Sequence, residues 1–408
     1  MEKPIERHID FLDPIRGIAI LLVFLFHSLT AAFGRDELPW GPWFRDFHVP
    51  HSFVALFPVT FGWAGVAIFF VVSGFCIHLS FSRQPNWALF FRRRFFRIYP
   101  PYLAVLLFFA FLFPMTRLHF SADETAVGQL LSHAGLYDNF SALWQFGINP
   151  SFWSIAVEVQ LYLLYPLLIL MVSRFGWRRS LVALAVLEIT LRLADGVLFT
   201  ARGAGLPVWV SGSPFIYWFS WSLGAFIAER HIRGESLPVP RSLIYGLAVL
   251  AVGTSLIKPL FNLPFVLFAL LTTAVVAKLL HHSDRPFPLP NALRNHLRQV
   301  GLWSFSLYLL HQPLLWIIPR IIARTMPGAH IHPLLIFFGG VASWVFIVPV
   351  ARLSYQYCEL PSIAFGKRFR GPKAPPQVLV RTDAEGAAHV PPAAGLAEVT
   401  PVPPVVKL

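Results

Sequence analysis

The chain has 408 residues, of which 56% are hydrophobic and 13% are charged, and 40 are Phe. Soluble globular domains carry about 25% charged residues, so this composition excludes that class and is typical of polytopic membrane proteins. The net charge of +13 is divided among short polar segments between apolar runs. We therefore expect it to reflect membrane topology, and we expect no nucleic-acid partner.

Apolar runs predict an all-α bundle of about ten membrane-spanning helices, since about 20 apolar residues span a bilayer core. The predicted spans are 11–33, 54–82, 98–116, 152–173, 180–199, 213–229, 242–258, 262–280, 300–319 and 333–355. Residues 1–370 would form this membrane domain. Residues 371–408 are rich in Pro and Ala without a helical period, and they are predicted to be a disordered cytoplasmic tail.

The lysines and arginines outside the spans are unevenly divided between the two sides of the membrane. Successive polar segments lie alternately on the two sides. The side that holds both termini has 20 of these lysines and arginines, and the other side has 7. The positive-inside rule assigns the richer set to the cytoplasm. This predicts cytoplasmic N- and C-termini and a multi-pass protein of the inner (cytoplasmic) membrane.

The first span carries polar groups that are costly in a membrane. Arg16 and His27 lie within it, and Asp13 lies at its start. An Arg inside a spanning helix costs about 2.5–3.5 kcal/mol on insertion scales, so it persists where it is paired, hydrated or used. Eleven residues make three turns plus about 20°, so both side chains share one face, about 16 Å apart along the axis. Arg16 is therefore a candidate anchor, and His27 a candidate base, for chemistry inside the membrane. The alternatives are that Arg16 pairs with Asp13 or reaches the headgroups, and that His27 is an interhelical hydrogen bonder.

The basic cluster FFRRRFFRIYPPY stands where the third span begins. Arg94 and Arg97 share a helix face, with Arg93 adjacent, and Pro100 and Pro101 predict an extended or kinked chain at this point. Guanidinium groups suit phosphates. The three arginines are therefore candidate ligands for the phosphates of a cytoplasmic cofactor such as coenzyme A, and binding of lipid headgroups is the alternative.

The fourth span begins with the motif SFWSIAVEVQLYLLYPLL, which contains Trp153, Glu158 and Tyr162. Glu158 and Tyr162 share a helix face, and a carboxylate inside a membrane is by default a functional-site hypothesis. Because this span starts on the outer side, we expect Glu158 in the outer half of the bilayer, with His27. It would pair there with His27, or with Arg16.

The ninth span contains the motif WSFSLYLLHQPLL, in which Ser304, Tyr308 and His311 recur at four and three residues. This spacing predicts one polar stripe on the helix. We interpret His311 as a structural or substrate-orienting hydrogen bonder in preference to a second base. His48 and His51, three residues apart beside Pro50, could be metal ligands, but we do not interpret this pair as a metal site and predict no metal.

These motifs together resemble those of the acyltransferase-3 family of integral membrane acyltransferases. The matches, in family order, are LDPIRG with His27 ten residues on, GVAIFFVVSGF, FFRRRFFRIYPPY, FWSIAVEVQLYLLYPLL, SFSLYLLHQPLL and SYQYCELP. Pro14 stands where a Gly is usual, and Val159 stands where an acidic or bulky residue is common. The fused esterase-like domain of some family members has no counterpart here.

The resemblance implies transfer of an acyl group, most often acetyl from cytoplasmic acetyl-CoA, to a hydroxyl of a cell-envelope or exported polysaccharide. Arg16 and His27 match the essential pair of the family. Arg94 and Arg97 match its basic motif, and Glu158 and His311 match its other polar membrane residues.

The expected site therefore has His27 as general base or transient acyl carrier, Glu158 orienting the imidazole, and Arg16 beside them. Donor phosphates would contact Arg16 and the arginines of the basic cluster. The expected substrate contacts are Trp153, Tyr162, Tyr308 and His311. The partners would be the glycan acceptor, membrane lipid and other polysaccharide-assembly proteins.

Two other classes of protein fit the same residues. In a transporter or flippase of a glycan precursor, the intramembrane Arg, His and Glu would line a substrate path. In a structural subunit of a polysaccharide-assembly complex, single substitutions at Arg16 and His27 would be tolerated.

Overall fold

A computed structural model of the chain describes residues 9, 11–34, 57–282, 287–326 and 331–369. The predicted disordered tail, 371–408, and most of the first outer loop lie outside these residues. The described residues form helices and connecting loops, without a strand. The prediction of an all-α protein is therefore confirmed for this part of the chain.

The α-helices follow one another along the described chain with short connections. They are α1 (Leu12–Phe33), α2 (Gly65–Arg83), α3 (Trp87–Leu107), α4 (Ala126–Ala134), α5 (Phe152–Arg202), α6 (Val208–Ser211), α7 (Trp218–Ile232), α8 (Arg241–Ser255), α9 (Pro264–His281), α10 (Asn291–Leu302), α11 (Ser304–Leu315), α12 (Ile317–Thr325), α13 (Pro333–Ala342), α14 (Trp344–Ser354) and α15 (Leu360–Arg368). A 3₁₀ segment, Val59–Ala64, precedes α2, and a π-helical turn, Tyr355–Glu359, joins α14 to α15.

Seven helical segments of the described chain are long and apolar enough to cross a membrane. They are Leu12–Phe33, Val59–Arg83, Trp87–Leu112, Phe152–Arg202, Pro264–His281, Ser304–Ile322 and Pro333–Arg368. The longest of them is broken at Gly176, where φ is 74° and ψ is 163°. Each part of it is about 36–39 Å long at 1.5 Å per residue, which exceeds a bilayer core of about 30 Å. The predicted spans 213–229 and 242–258 correspond to the 15-residue helices α7 and α8.

The prediction of an extended chain at the basic cluster is wrong, because the cluster lies within a continuous α-helix. Helix α3 begins at Trp87 and runs through both Pro100 and Pro101. Proline at position 100 has no N–H for the carbonyl of Phe96, four residues earlier. The Ser362 hydroxyl donates a hydrogen bond to that carbonyl. The freed backbone group is thus satisfied by α15, so the helix continues and holds its arginines on fixed faces.

Glycines set the closest helix crossings of the bundle. A Cβ on Gly74 of α2 would lie 2.1 Å from the Trp221 carbonyl oxygen of α7, and one on Gly224 would lie 1.9 Å from that of Val71. Gly301 of α10 is equally close to α1, because its Cβ would lie 1.9 Å from the Asp13 carbonyl oxygen. Small residues let membrane helices approach until their backbones touch. These crossings pack α7 against α2 and α10 against α1, the two helices that contribute Ser73 and Arg16 to the cavity described below.

Replacement of Gly224 by Val is expected to prevent assembly of the bundle. The new side chain clashes with backbone atoms, which cannot move aside by changing rotamer as a side chain can. The destabilisation should therefore exceed the roughly 1–3 kcal/mol typical of overpacking. Gly246→Val is the matched control, because nothing lies within 4 Å of a Cβ there. Size-exclusion chromatography of the detergent-extracted proteins should give a monodisperse peak for the control and aggregate for Gly224→Val. Equal peaks for the two variants would contradict this account of the crossing.

Candidate active site

A cavity in the bundle is bounded by five helices, α1, α2, α3, α5 and α11. It encloses about 770 Å³, counting its open mouth. Its lining on α2 extends from Val66 to Ile77, a length of about 16 Å at 1.5 Å per residue. The wall between its ends is mostly apolar, with Phe69, Phe70 and Ile155 among the lining side chains. The cavity is therefore a long slot with a predominantly apolar middle.

Arginines gather at one end of this slot. Arg16 of α1 and Arg94 and Arg97 of α3 all line it, together with a single carboxylate, that of Glu158. Arg16 donates to Asp13 Oδ1 over 3.3 Å and to Cys76 Sγ over 3.1 Å. Three guanidinium groups against one carboxylate leave the lining positive. Such an end favours an anion, above all a phosphate, because the guanidinium fork matches phosphate geometry.

Arg93, which the sequence placed with these arginines, does not line the cavity. Arg93 lies about 40° around the helix from Arg97 and about 100° from Arg94, so it is on the flank of their shared face that is not part of the cavity wall. Arg92, one residue further back, is exposed and stacks on the Phe369 ring at 4.5 Å. The regular helix through this segment therefore separates the four arginines into different roles.

Glu158 lies near Arg16 and not near His27, which corrects the expected pairing of the carboxylate with the imidazole. Glu158 Oε1 accepts hydrogen bonds from the Ser73 hydroxyl over 2.6 Å and from the Tyr162 hydroxyl over 2.5 Å. Arg16 and Arg94 both interact with it electrostatically. Among the described residues, none of its hydrogen bonds reaches His27. The carboxylate therefore offsets part of the positive charge at the basic end of the cavity.

Glu158 was predicted near His27 because its helix, α5, was expected to begin at the outer side of the membrane. The chain just before the helix is buried in the bundle, since Asn149 and Ser151 are at most 1% exposed. Asn149 donates to the Leu309 carbonyl over 2.8 Å, and Ser151 donates to the Gln312 side chain over 2.5 Å. Helix α5 thus starts inside the protein, and Glu158 lies at the end of the cavity that Arg16 lines.

Beyond the apolar part of the cavity is a chain of polar groups that ends at His27. Tyr308 and Ser154 line the cavity and share a hydrogen bond of 2.6 Å. One helical turn from Tyr308, His311 is fully buried and its Nε2 lies 2.9 Å from His27 Nδ1. His27 is only partly buried. Neither histidine lines the cavity itself, but the ring of His311 lies 5.5 Å from that of Tyr308.

The hydrogen bonds of His311 determine which nitrogen of His27 is free. His311 Nδ1 lies 2.9 Å from the Tyr308 carbonyl oxygen and 3.1 Å from that of Leu307, so it carries the proton and donates. A neutral imidazole has one N–H, so His311 Nε2 accepts, and His27 Nδ1 is the donor to it. This leaves the lone pair of His27 on Nε2. His311 thereby orients His27 as a base, which is the role the sequence had assigned to Glu158.

The predicted substrate contacts divide between two cavities. Tyr162 and Tyr308 line the one just described. Trp153 lines a second cavity, which shares Val66 with the first. His311 lines neither of the two and contacts His27 instead.

Sequence reasoning missed several residues of the two cavities. Ser73 and Cys76 line the first cavity from α2. Ser73 lies in the motif GVAIFFVVSGF and donates a hydrogen bond to Glu158, and Cys76 follows the motif directly. Glu188, Arg192 and Asp195 in the second half of α5 belong to a buried network beside the second cavity. Three ionisable residues at four and three residues within an apolar span were the available signal, because intramembrane charges mark functional sites.

The segment before α5 holds a buried His–acid pair, formed by His133 and Asp138, both fully buried. Burial raises the pKa of Asp138 to about 7 and lowers the pKa of His133 to about 4. His133 Nδ1 donates to the Gln129 carbonyl over 2.7 Å, so its Nε2 carries the lone pair. That nitrogen lies 3.8 Å from Asp138 Oδ2. The pair is therefore most stable with a neutral, protonated Asp138 and a neutral His133.

Asp138→Asn is expected to stabilise the protein at neutral and alkaline pH. The folded state holds a proton on Asp138 up to a pKa of about 7, whereas the ordinary pKa is 3.8, so the cost of ionisation grows as pH rises through that window. At about 1.36 kcal/mol per pKa unit, the gain for Asn should reach a few kcal/mol above pH 7 and shrink steadily towards pH 4. Thermal unfolding midpoints between pH 4 and pH 8 measure it. The control is Asp123→Asn, because hydrogen bonds from Thr125 lower the pKa of Asp123, and it should give no gain at any pH.

The described chain therefore combines seven helical segments long and apolar enough to cross a membrane with a cavity that is basic at one end and lies near a histidine pair. The model of the acyltransferase-3 family, described as an acyltransferase domain, matches residues 9–352. The chain therefore belongs to the acyltransferase-3 family and is a membrane acyltransferase. It is 25% identical over 326 residues to the acyltransferase MdmB of Streptomyces mycarofaciens, covering 74% of this chain and 77% of that protein. No solved structure matches the chain.

Proposed function

We propose that this membrane acyltransferase moves an acetyl group from cytoplasmic acetyl-CoA to a hydroxyl of a cell-envelope or exported polysaccharide. The observation that carries the proposal is the slot itself, with Arg16, Arg94 and Arg97 at one end and the His27–His311 pair beyond the other. We further propose that the chain crosses the inner membrane ten times, with both termini and the basic end of the slot on the cytoplasmic side.

The chemistry of coenzyme A matches the order of groups along the slot. Its phosphates need cations, and Arg94, Arg97 and Arg16 are the cations that line the slot. Its pantetheine arm is slender and ends in the thioester, which suits the apolar middle of the slot. An arm held in this way brings the thioester carbonyl to Tyr308 and Ser154. Either hydroxyl is placed to donate a hydrogen bond to the carbonyl oxygen as negative charge develops there.

The transfer step then uses His27 as general base. The acceptor hydroxyl gives its proton to His27 Nε2 while its oxygen attacks the thioester carbonyl carbon, and collapse of the tetrahedral intermediate breaks the C–S bond. The proton on His27 passes to the departing thiolate, which leaves as the CoA thiol. His311 Nε2 accepts the hydrogen bond of His27 Nδ1 throughout. The geometry supports the general-base route directly, because it leaves Nε2 without a proton.

Turnover of acetyl-CoA by the purified protein tests the proposal. Full-length protein in nanodiscs should bind radiolabelled acetyl-CoA and hydrolyse it slowly without an acceptor, since water can replace the hydroxyl. Mass spectrometry of envelope glycans should then find O-acetyl groups that disappear when the chain is deleted from its host. A transporter or flippase would leave acetyl-CoA unbound and intact, and that result would overturn the proposal.

A further inference from the structure

The second cavity, the one that Trp153 lines, is built differently from the slot. It encloses about 1080 Å³, counting open space, and lies between α2, α5, α9 and the chain before α7. Aromatic rings make up much of its wall, among them Trp63, Trp153, Tyr217 and Phe265. The rings of Trp153 and Tyr217 lie 5.8 Å apart, and those of Tyr217 and Phe265 lie 5.0 Å apart. These contacts hold a rigid aromatic wall with polar side chains set into it.

Arg192 supplies the only guanidinium in this wall among the described residues, and neighbouring protein groups bind it on every nitrogen. Arg192 is 2% exposed and bonds the Glu188 carboxylate, the Asn262 side chain and carbonyl, and the Ile216 carbonyl. Its guanidinium carbon also lies 4.5 Å from the centre of the Phe265 ring. With the ion pair between Nη2 and Glu188 Oε1, 3.0 Å apart, these four hydrogen bonds engage all three nitrogens of the guanidinium. Arg192 therefore braces the aromatic wall and has no donor left for an anion.

Other polar groups in the wall keep hydrogen-bonding capacity. Asp195 accepts one hydrogen bond on each oxygen, from Leu206 N over 2.6 Å and from Asn262 Nδ2 over 2.9 Å, and a carboxylate has about four acceptor positions. The indole N–H of Trp63 is buried and has no partner among the described residues. The Tyr217 hydroxyl makes no hydrogen bond to any described residue, although its ring is packed on several sides. Gln145 also lines the cavity, and its side-chain amide makes no hydrogen bond to a described residue. A ligand here therefore meets several donors and acceptors, without a free cation.

The second cavity adjoins the outer part of α1, the helix that carries His27. Gly62, beside Trp63, packs so closely on α1 that a Cβ there would lie 2.2 Å from the Leu22 carbonyl oxygen and 2.9 Å from Phe26 Cβ. The residue next to Phe26 is His27. The two cavities also share Val66, and Trp153 of the second adjoins Ser154 of the first. A molecule in the second cavity therefore approaches the end of the slot where the thioester would lie.

We propose that the second cavity binds the acyl acceptor as an uncharged sugar ring, stacked on the aromatic wall and hydrogen-bonded through its hydroxyls to Asp195, Tyr217 and Trp63. Small-molecule sites combine apolar and aromatic walls with a few placed polar groups, and a sugar ring offers apolar C–H faces together with hydroxyl donors and acceptors. A carboxylate beside a saturated guanidinium disfavours an acidic sugar. The inference deepens the proposed function and rests on it.

Tyr217→Phe is the sharpest test, because it removes one hydroxyl that supports no other group. Full-length protein in nanodiscs receives radiolabelled acetyl-CoA and, as acceptor probes, the methyl pyranosides of glucose, galactose and mannose, with methyl glucuronoside as the acidic counterpart. The variant should raise KM for the neutral glycosides about 3- to 10-fold, the value of one hydrogen bond. Its acetyl-CoA affinity and acceptor-free hydrolysis should not change. Tyr245→Phe is the matched control, since Tyr245 is 67% exposed on α8.

The outcomes separate this inference from the proposed function. Unchanged acceptor KM in Tyr217→Phe and in a folded Trp153→Ala protein would overturn the inference. Hydrolysis of acetyl-CoA by the wild type without transfer to any neutral glycoside, or with preference for the glucuronoside, would also overturn it while leaving the proposed function intact. A wild-type protein that neither binds nor hydrolyses acetyl-CoA would overturn both.

Discussion

Replacement of His27 by Gln is expected to reduce acyl transfer by about 10²–10⁴-fold, the usual contribution of a positioned general base. Gln keeps a side chain of similar reach that can still donate to His311 Nε2, so the packing around the pair should survive. It has no basic nitrogen at the position of His27 Nε2, so the acceptor hydroxyl keeps its proton. Binding of acetyl-CoA should be unchanged, because the arginines of the slot are untouched.

Initial transfer rates at saturating acetyl-CoA, with acetyl-CoA affinity measured on the same preparation, check this expectation. His296→Gln is the matched control, since His296 is exposed on α10, and it should transfer at the wild-type rate. A folded His27→Gln protein that transfers acetyl groups at the wild-type rate would show that His27 is not the base.

The double variant Arg94→Gln/Arg97→Gln is expected to weaken acetyl-CoA binding by about 10²–10³-fold. Hydrogen bonds to charged groups contribute about 1.5–3 kcal/mol each, and 1.4 kcal/mol is a factor of ten in affinity. The effect should be specific to the phosphates. Removal of the 3′-phosphate, as in 3′-dephospho-acetyl-CoA, should cost the wild type affinity and cost the double variant much less, because the lost partners are shared.

Equilibrium binding of the two labelled donors at several salt concentrations measures this interaction. Arg92→Gln is the control that also removes one positive charge, since Arg92 stacks on Phe369 and does not line the slot, and it should bind both donors as the wild type does. Equal losses for both donors in the double variant would mean that Arg94 and Arg97 do not contact the phosphates. The arginines would then serve only to hold the protein at the headgroups.

The membrane character of the fold and the polar motifs could be read from the sequence because both are local. An apolar run identifies a spanning helix wherever its neighbours are, and Arg16 or Glu158 in such a run is conspicuous without a structure. Helical geometry also correctly put Arg94 and Arg97 on one face. What these local patterns do not contain is the depth at which each helix begins. Glu158 was misplaced for that reason, since Asn149 and Ser151 anchor the start of α5 inside the bundle.

Contacts between helices distant in the sequence could not be predicted from the sequence either. The bond between His27 and His311 joins residues 284 positions apart and depends on how α1 and α11 are aligned, which no single segment encodes. The continuity of α3 through Pro100 and Pro101 depends on Ser362, more than 260 residues later, satisfying the Phe96 carbonyl. Glu188, Arg192 and Asp195, in the second half of α5, could have been found from the sequence, because their helical spacing is visible there. They would have been found by treating every intramembrane charge as a candidate.

The central claim is that a donor from one side of the membrane meets an acceptor from the other side within the bundle. It is tested most directly in proteoliposomes of uniform orientation, with radiolabelled acetyl-CoA on the side of the basic cluster and an impermeant acceptor, the host's own envelope polysaccharide, on the opposite side. The account predicts labelled polysaccharide in this arrangement and none when the two compartments are exchanged or when His27 is replaced by Gln. Transfer that requires both substrates in the same compartment, or that survives the loss of His27, would contradict it.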